Sequence, residues 1–181
     1  VVTLGKFDGL HRGHMLLIRR VLEIGRTKGL ETVVFTFDVP PQSKVQHVTQ
    51  HQLLTNEERR NHLERLGIDC LVECPFVDEV MHMTPETFIR EILVGKLHAK
   101  KVVVGKDFGF GYKRSGTAQM LKEMGRTLGF ETEIIEKAKK NGREISSTWA
   151  REELEKGNME AVSDLLGYDY AIHGEIVHGH A

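Results

Sequence analysis

No apolar run in the chain approaches the ~18–20 residues that a membrane-spanning helix needs, and none reads as a secretory leader. The chain opens on Val1 rather than methionine, as expected if the natural start lies upstream. Only two cysteines occur, Cys70 and Cys74, too few for a disulfide framework or an all-cysteine zinc site. They lie in the apolar run Cys70-Leu71-Val72-Glu73-Cys74. Both are therefore expected to be buried strand thiols, in a reducing cytoplasm. Excess charge of one sign is also missing: the formal net charge is −1, which argues against the basic surface of a dedicated nucleic-acid binder. No basic surface interleaved with aromatics is legible for RNA either. The dinucleotide pattern G-x-G-x-x-G does not follow the first strand, and Gly109-Phe110-Gly111-Tyr112-Lys113-Arg114 lacks the third glycine and precedes no clear helix start. The P-loop pattern is absent too, so a dehydrogenase and a P-loop kinase are disfavoured. No repeat or low-complexity segment is present. What remains is an ordinary globular composition, 40% hydrophobic and 28% charged over 181 residues, fitting one domain and the start of another.

Five runs read as strands: Val1–Leu4, Glu31–Phe37, Asp69–Glu73, Lys101–Gly105 and Glu131–Glu136. Helical patterns fall between them. The first starts near Gly13, with Leu16, Leu17, Val21, Leu22 and Ile24 as its expected buried stripe. Thr55 and Glu58 form a capping box for a helix to about Leu66, with Gly67 as its stop. Thr84 caps another, with Pro85 in the first turn and Gly95 closing it. A third runs from Thr117 to Leu128 and ends at Gly129. Strands alternating with helices give an α/β fold, a Rossmann-like, mainly parallel sheet flanked by helices. Ligands of such sheets collect beyond the carboxyl ends of the strands, where the Gly5–His14 and Gly105–Gly116 loops both fall.

The first of those loops holds the strongest chemical signal. His11 and His14 stand three residues apart where a strand hands over to a helix, with Gly13 between them. The free N–H groups and positive dipole end of a helix start attract an anion. Gly13 is expected to leave a phosphate room to approach the backbone, and the imidazoles add donors. Zinc ligation and incidental histidines are the competing explanations. Zinc takes three or four ligands, and only Asp8 stands nearby. A second cluster comes late, Ile145-Ser146-Ser147-Thr148-Trp149-Ala150-Arg151, opening a helix that runs to Lys156 and Gly157. Hydroxyls at a helix start commonly cap it, yet three of them with an arginine one turn on also suit phosphate oxygens.

Taken together, Gly5-Lys6-Phe7-Asp8-Gly9-Leu10-His11-Arg12-Gly13-His14, Val104-Gly105-Lys106-Asp107-Phe108-Gly109-Phe110-Gly111 and Ile145-Ser146-Ser147-Thr148 through Arg151 resemble the prokaryotic bifunctional riboflavin kinase/FAD synthetase family, specifically its FMN adenylyltransferase module. The His11-x-Gly13-His14 element alone marks only the wider nucleotidyltransferase superfamily; three motifs in order narrow it. The match covers Val1 to Gly167. The resemblance implies a nucleotidyltransferase-type Rossmann-like domain over residues 1–167 that transfers AMP from ATP to FMN, giving FAD and pyrophosphate. It assigns catalytic contacts to His11, His14, Ser147, Thr148 and Arg151. Nucleotide binding falls to Gly5, Phe7, Asp8, Gly9, Gly13, Gly105, Asp107 and Ser146. Phe37, Phe108 and Phe110 are candidates for a flavin slot, although apolar residues beside strands are more often core. Magnesium is expected to arrive with ATP, held through phosphate oxygens and waters with few protein ligands, and no protein metal site is expected. The expected partners are small molecules, ATP and FMN, without nucleic acid or membrane.

Two departures from the family pattern fall on the flavin side. Val39-Pro40-Pro41 carries no histidine where the family often has Pro-His-Pro, and Gly109 stands where an arginine commonly follows Asp-Phe. Residues 168–181 resemble the linker and opening strand of a riboflavin kinase domain whose Pro-Thr-Ala-Asn motif and barrel are absent from this sequence. Two rivals stay open: another nucleotidyltransferase with a different phosphomonoester, such as a phosphorylated sugar alcohol or pantetheine phosphate, and a non-catalytic flavin- or nucleotide-sensing module.

Overall fold

The computed structural model describes residues 1–38 and 51–174. From the amino end run β1 (Val2–Leu4), α1 (Arg12–Lys28), β2 (Val33–Phe37), α2 (Asn56–Arg65) and β3 (Cys70–Cys74). Next come the short α3 (Asp78–Met81) and α4 (Pro85–Thr87), a π-wound segment Phe88–Lys96, and β4 (Lys101–Gly105). A two-residue ladder of β5 (Gly109–Phe110) and β6 (Gly116–Thr117) precedes α5 (Ala118–Leu128) and β7 (Glu131–Ile135). A second small ladder, β8 (Lys139–Lys140) with β9 (Arg143–Glu144), leads into α6 (Ser147–Glu155) and α7 (Met159–Leu166). No helix among the described residues is long and apolar enough to cross a membrane.

The five main strands form one parallel sheet in the order β3-β2-β1-β4-β7, the α/β architecture expected from the alternating pattern. The chain steps outward from β1 to β3, then returns to lay β4 on the other side of β1. The reversal leaves a crevice at the carboxyl ends of β1 and β4, the place where open parallel sheets bind ligands. Strand alternation divides two cores. Val2, Leu4, Phe35, Val102 and Val104 face the π-wound segment and α5, whereas Val34 and Val103 face Ile18, Val21 and Ile24 of α1. A third cluster, built on Ala150, Val162, Leu165 and Leu166, seats α6 and α7.

Four expectations need correction. Leu16 is 40% exposed and Leu22 only half-buried, while Ile18 is fully buried. The helix starts at Arg12, so its inward face is Leu17, Ile18, Val21, Ile24 and Gly25. Gly95 does not end its helix, because π winding carries the backbone on to Lys96, and the amide of Ala99 then closes on the carbonyl of Leu93 at 2.8 Å. Cys70 is exposed and Cys74 half-buried. Among the described residues β3 is an edge strand, hydrogen-bonded only to β2, so its flanks are less covered than those of β1 or β4. The helix opening at Ser147 stops at Glu155, short of Lys156 and Gly157. Val39-Pro40-Pro41 and the strand expected at the chain's end lie outside the described residues.

Candidate active site

The loop leaving β1 is left-handed at three positions, Phe7 (φ 51°), Gly9 (φ 77°) and Leu10 (φ 38°). Such a conformation costs a non-glycine residue on the order of 1 kcal/mol or more and persists only where surroundings impose it. Burial imposes part of it, since Phe7 is 0% and Leu10 2% exposed. Gly9 suits its place: a φ of 77° strains any residue with a side chain, and a Cβ there would lie 2.7 Å from Leu53 Cδ1. Polar ties impose the rest, and Asp8 gathers them. Its carboxylate accepts from the amides of Leu53 (2.8 Å) and Leu54 (3.4 Å), and Arg151 Nη1 meets its Oδ2 at 2.6 Å. The Ser147 hydroxyl donates to the Asp8 carbonyl at 2.8 Å, and the Tyr168 hydroxyl to the Gly9 carbonyl at 2.9 Å. Two motifs well over a hundred residues apart are thereby locked together.

After the loop, His11 caps α1: its Nδ1 accepts from the His14 amide at 3.3 Å. The two imidazoles stack, with centroids 3.7 Å apart and planes 15° from parallel. Gly13 is confined from within the protein, because a Cβ there would come 3.0 Å from His11 Cε1 and 3.5 Å from the Ile145 carbonyl. The glycine thus lets the histidine ring fold back and α1 approach the segment entering α6. Burial, with the Arg151 guanidinium adding to it, holds His11 down to about 4. Burial and then His11 push His14 well below the ordinary imidazole range. Both rings are neutral at pH 7. Because His11 Nδ1 accepts a hydrogen bond, its proton sits on Nε2.

The starts of α1 and α6 open onto one cavity of about 630 Å3. Ser146 caps α6 by accepting from the Trp149 amide at 3.2 Å. The five residues singled out for phosphate chemistry, His11, His14, Ser147, Thr148 and Arg151, all line this cavity. Asp8, Gly13, Gly105, Asp107 and Ser146 of the nucleotide set also line it, as does Phe37. Gly5, Phe7 and Gly9 do not; Phe7 packs in the core under α1, and Gly9 is buried beneath Leu53. Phe108 and Phe110 stand apart from the cavity, stacked on each other at 5.6 Å and packed into the core beside Phe88. Asp107 is exposed and ion-paired with Lys137 at 2.9 Å. Other lining residues escaped the sequence reading, among them Lys6, Thr36, Arg59 and Lys137. Arg59 could not be told from a surface helix residue in its Glu-Glu-Arg-Arg setting, yet it is 4% exposed and bound to Glu73 at 2.7 Å. Among the described residues no group of three or more His, Cys, Asp or Glu could hold a metal ion.

A helix N-terminus concentrates partial positive charge, and here two of them meet neutral imidazole donors and a guanidinium. The arrangement can hold a polyphosphate and strengthen its grip where negative charge builds.

Comparison with known proteins identifies a family. The FAD synthetase family model matches residues 1–149. A bifunctional riboflavin kinase/FMN adenylyltransferase of Escherichia coli K12 is 34% identical over 99% of this chain. One from Buchnera aphidicola (Acyrthosiphon pisum) is 33% identical over the same share. The chain spans 58% of the length of each of these two. A putative bifunctional riboflavin kinase/FMN adenylyltransferase of Geobacillus thermodenitrificans is 34% identical, and there the match covers 93% of this chain and 89% of the relative. The crystal structure of a Streptococcus pneumoniae protein described as a macrolide-efflux protein matches with a TM-score of 0.87 at 31% identity, over 99% of this chain and 59% of that one. With the family model spanning most of its length and its motifs drawn into one cavity, the chain belongs to the FAD synthetase family.

Proposed function

We propose that this cavity transfers AMP from ATP to FMN, releasing pyrophosphate and forming FAD. One observation carries the reading: the histidine pair and the distant Ser147–Arg151 cluster line one cavity and are joined through Asp8. A phosphate oxygen of FMN attacks the α-phosphorus of ATP, and pyrophosphate leaves roughly in line. A phosphomonoester has its second pKa near 6, so the nucleophile is already ionised and needs no strong base. The protein's part is positioning and charge stabilisation. His11, through Nε2–H, and His14 follow the charge on the α-phosphate and leaving group. Thr148 and Arg151 hold the outer phosphates, with Ser147 fixing the loop between them. Magnesium, supplied with ATP, would neutralise part of the phosphate charge; the nearby carboxylates of Asp8 and Asp107 are engaged with Arg151 and Lys137. Chromatographic detection of FAD and equimolar pyrophosphate after mixing the chain with FMN, ATP and magnesium tests the proposal; no FAD under these conditions rejects it.

A second reading, the same transfer to another phosphomonoester, draws on one observation. Of the three phenylalanines considered for a flavin slot, only Phe37 reaches the cavity. A panel of phosphomonoesters with ATP or CTP, scored by pyrophosphate release, separates the two. Binding of FMN or ATP without any pyrophosphate release would instead mark a sensing module.

A further inference from the structure

Arg59 belongs to neither phosphate motif, yet it lines the cavity together with Thr36, Phe37 and Gln52. It stands one turn into α2, its amide bonded to the Thr55 carbonyl at 3.0 Å. Only 4% of the residue is exposed. One nitrogen makes all of its side-chain bonds among the described residues: Nη2 donates to Glu73 Oε1 at 2.7 Å, to Asn56 Oδ1 at 3.1 Å and to the Phe37 carbonyl at 3.3 Å. The other two nitrogens are spare. Nε is buried without a partner, and Nη1 donates to no described residue. A buried guanidinium is normally bonded along its whole fork, because a donor left unmade carries its full desolvation cost. Here three acceptors crowd one nitrogen while its neighbours have none. The fork is held in place and left unfinished, at the wall of a cavity.

We propose that Arg59 is a specificity residue of this cavity, donating through Nη1 to the in-plane acceptor edge of an uncharged heteroaromatic ring. The inference rests on the adenylyl-transfer reading and deepens it, because both substrates of that reaction carry such a ring. The flavin offers ring carbonyls and nitrogens, the adenine ring nitrogens. Two observations set the chemistry. The first is charge. Glu73 already supplies the countercharge of Arg59, and its other oxygen holds Arg60 Nε at 2.5 Å. A phosphate would have to compete with that carboxylate for the same guanidinium, whereas a neutral acceptor completes the fork and leaves the ion pair intact. The second is the neighbouring surface. Phe37 lines the cavity half-buried, and it meets Phe35 and Phe76 at 86° and 67°. No aromatic side chain among the described residues therefore stacks flat on it. An aromatic surface next to one fixed donor is the common make-up of a site for a flat ring.

Riboflavin carries the ring of FMN without its phosphate, and adenosine carries that of ATP. Calorimetric affinities for these four ligands are compared between the native chain and Arg59→Met, in which Glu73 keeps Arg60. The expected result is a loss of about tenfold that is equal for a ring and its phosphorylated form and confined to one pair. FMN and riboflavin weaken together if the flavin edge is bound, ATP and adenosine if the base edge is bound, and the other pair stays within about twofold. A loss for FMN that spares riboflavin, or for ATP that spares adenosine, makes Arg59 a phosphate ligand and overturns the proposal. Unchanged affinities overturn it too, as does a loss spread over all four ligands or a native chain that binds none of them. Should Arg59→Met fail to fold, Arg59→Lys decides by the same pattern, since its one ammonium keeps the Glu73 pair and has no second nitrogen for a ring. Affinity is read without turnover, so a native chain that binds a ring but releases no pyrophosphate counts against the adenylyl-transfer reading alone.

Discussion

His11 and His14 stack at 3.7 Å, and a second proton on either ring would have to enter a buried surrounding, which for His11 also lies near the Arg151 guanidinium. In the proposed reaction they therefore serve as neutral donors, able to follow charge without the desolvation cost of an imidazolium. His14→Ala is expected to lower turnover about a hundred- to a thousandfold, the usual effect of losing one transition-state donor, with a far smaller change in melting temperature. FAD formation at an undiminished rate in that variant would remove the assigned role. The same burial sets a pH dependence. His11 titrates at about 4 in the folded chain against 6.5 in the unfolded one, so between those values the unfolded chain binds a proton that the native one refuses. Stability is complete above pH 6.5 and declines as pH falls toward 4, by about 3 kcal/mol from this residue. Denaturant unfolding at pH 7.5 and pH 5 is expected to show a smaller acid loss in His11→Gln than in the native chain. Equal losses would place the effect elsewhere.

Among elements, the strained loop between β1 and α1 depends on partners far away in sequence. Ser147 and Arg151 come from α6, the Leu53 and Leu54 amides from the approach to α2, and Tyr168 from the segment after α7. Tyr168 packs on His62 at 4.8 Å and is half-buried. Burial, with Asp8 close by, pushes its phenol well above the ordinary range, so it remains a donor to the Gly9 carbonyl. Tyr168→Phe keeps the ring and orphans that carbonyl. The expected stability loss is about 1–3 kcal/mol, accompanied by a lower kcat, because the loop bears the helix start that presents the histidines. Thermal unfolding and turnover measured side by side check this; an unaffected kcat would show that the loop holds its shape without the tie.

At the scale of the whole molecule, the order β3-β2-β1-β4-β7 brings the loops after β1 and β4 to one edge, and the cavity follows from that reversal. Its ionic character leads to a prediction about metal. With no described cluster of three or more potential ligands, chelation is expected to abolish pyrophosphate release while leaving the melting temperature of the unliganded chain unchanged. A large drop in melting temperature with EDTA would point to a structural ion.

How far the chain discloses itself depends on the range of the forces involved. Strand runs, the Thr55–Glu58 capping box and the Gly129 stop arise from neighbours a few residues apart, so periodicity and caps sufficed for them. The same holds for the histidine pair and the hydroxyl cluster, each contained within one turn of helix. Long-range packing decided the remainder. It made Ser147 a strut on Asp8 and turned Phe108 and Phe110 into core. It drew Arg59 inward to Glu73 and swung Arg114 over Gly109. Those outcomes depend on which distant surface covers a side chain, and no local spacing encodes that; composition and motifs determined the fold class and supplied the groups on which the proposed phosphate chemistry rests, while tertiary contact alone determined which residues wall the site.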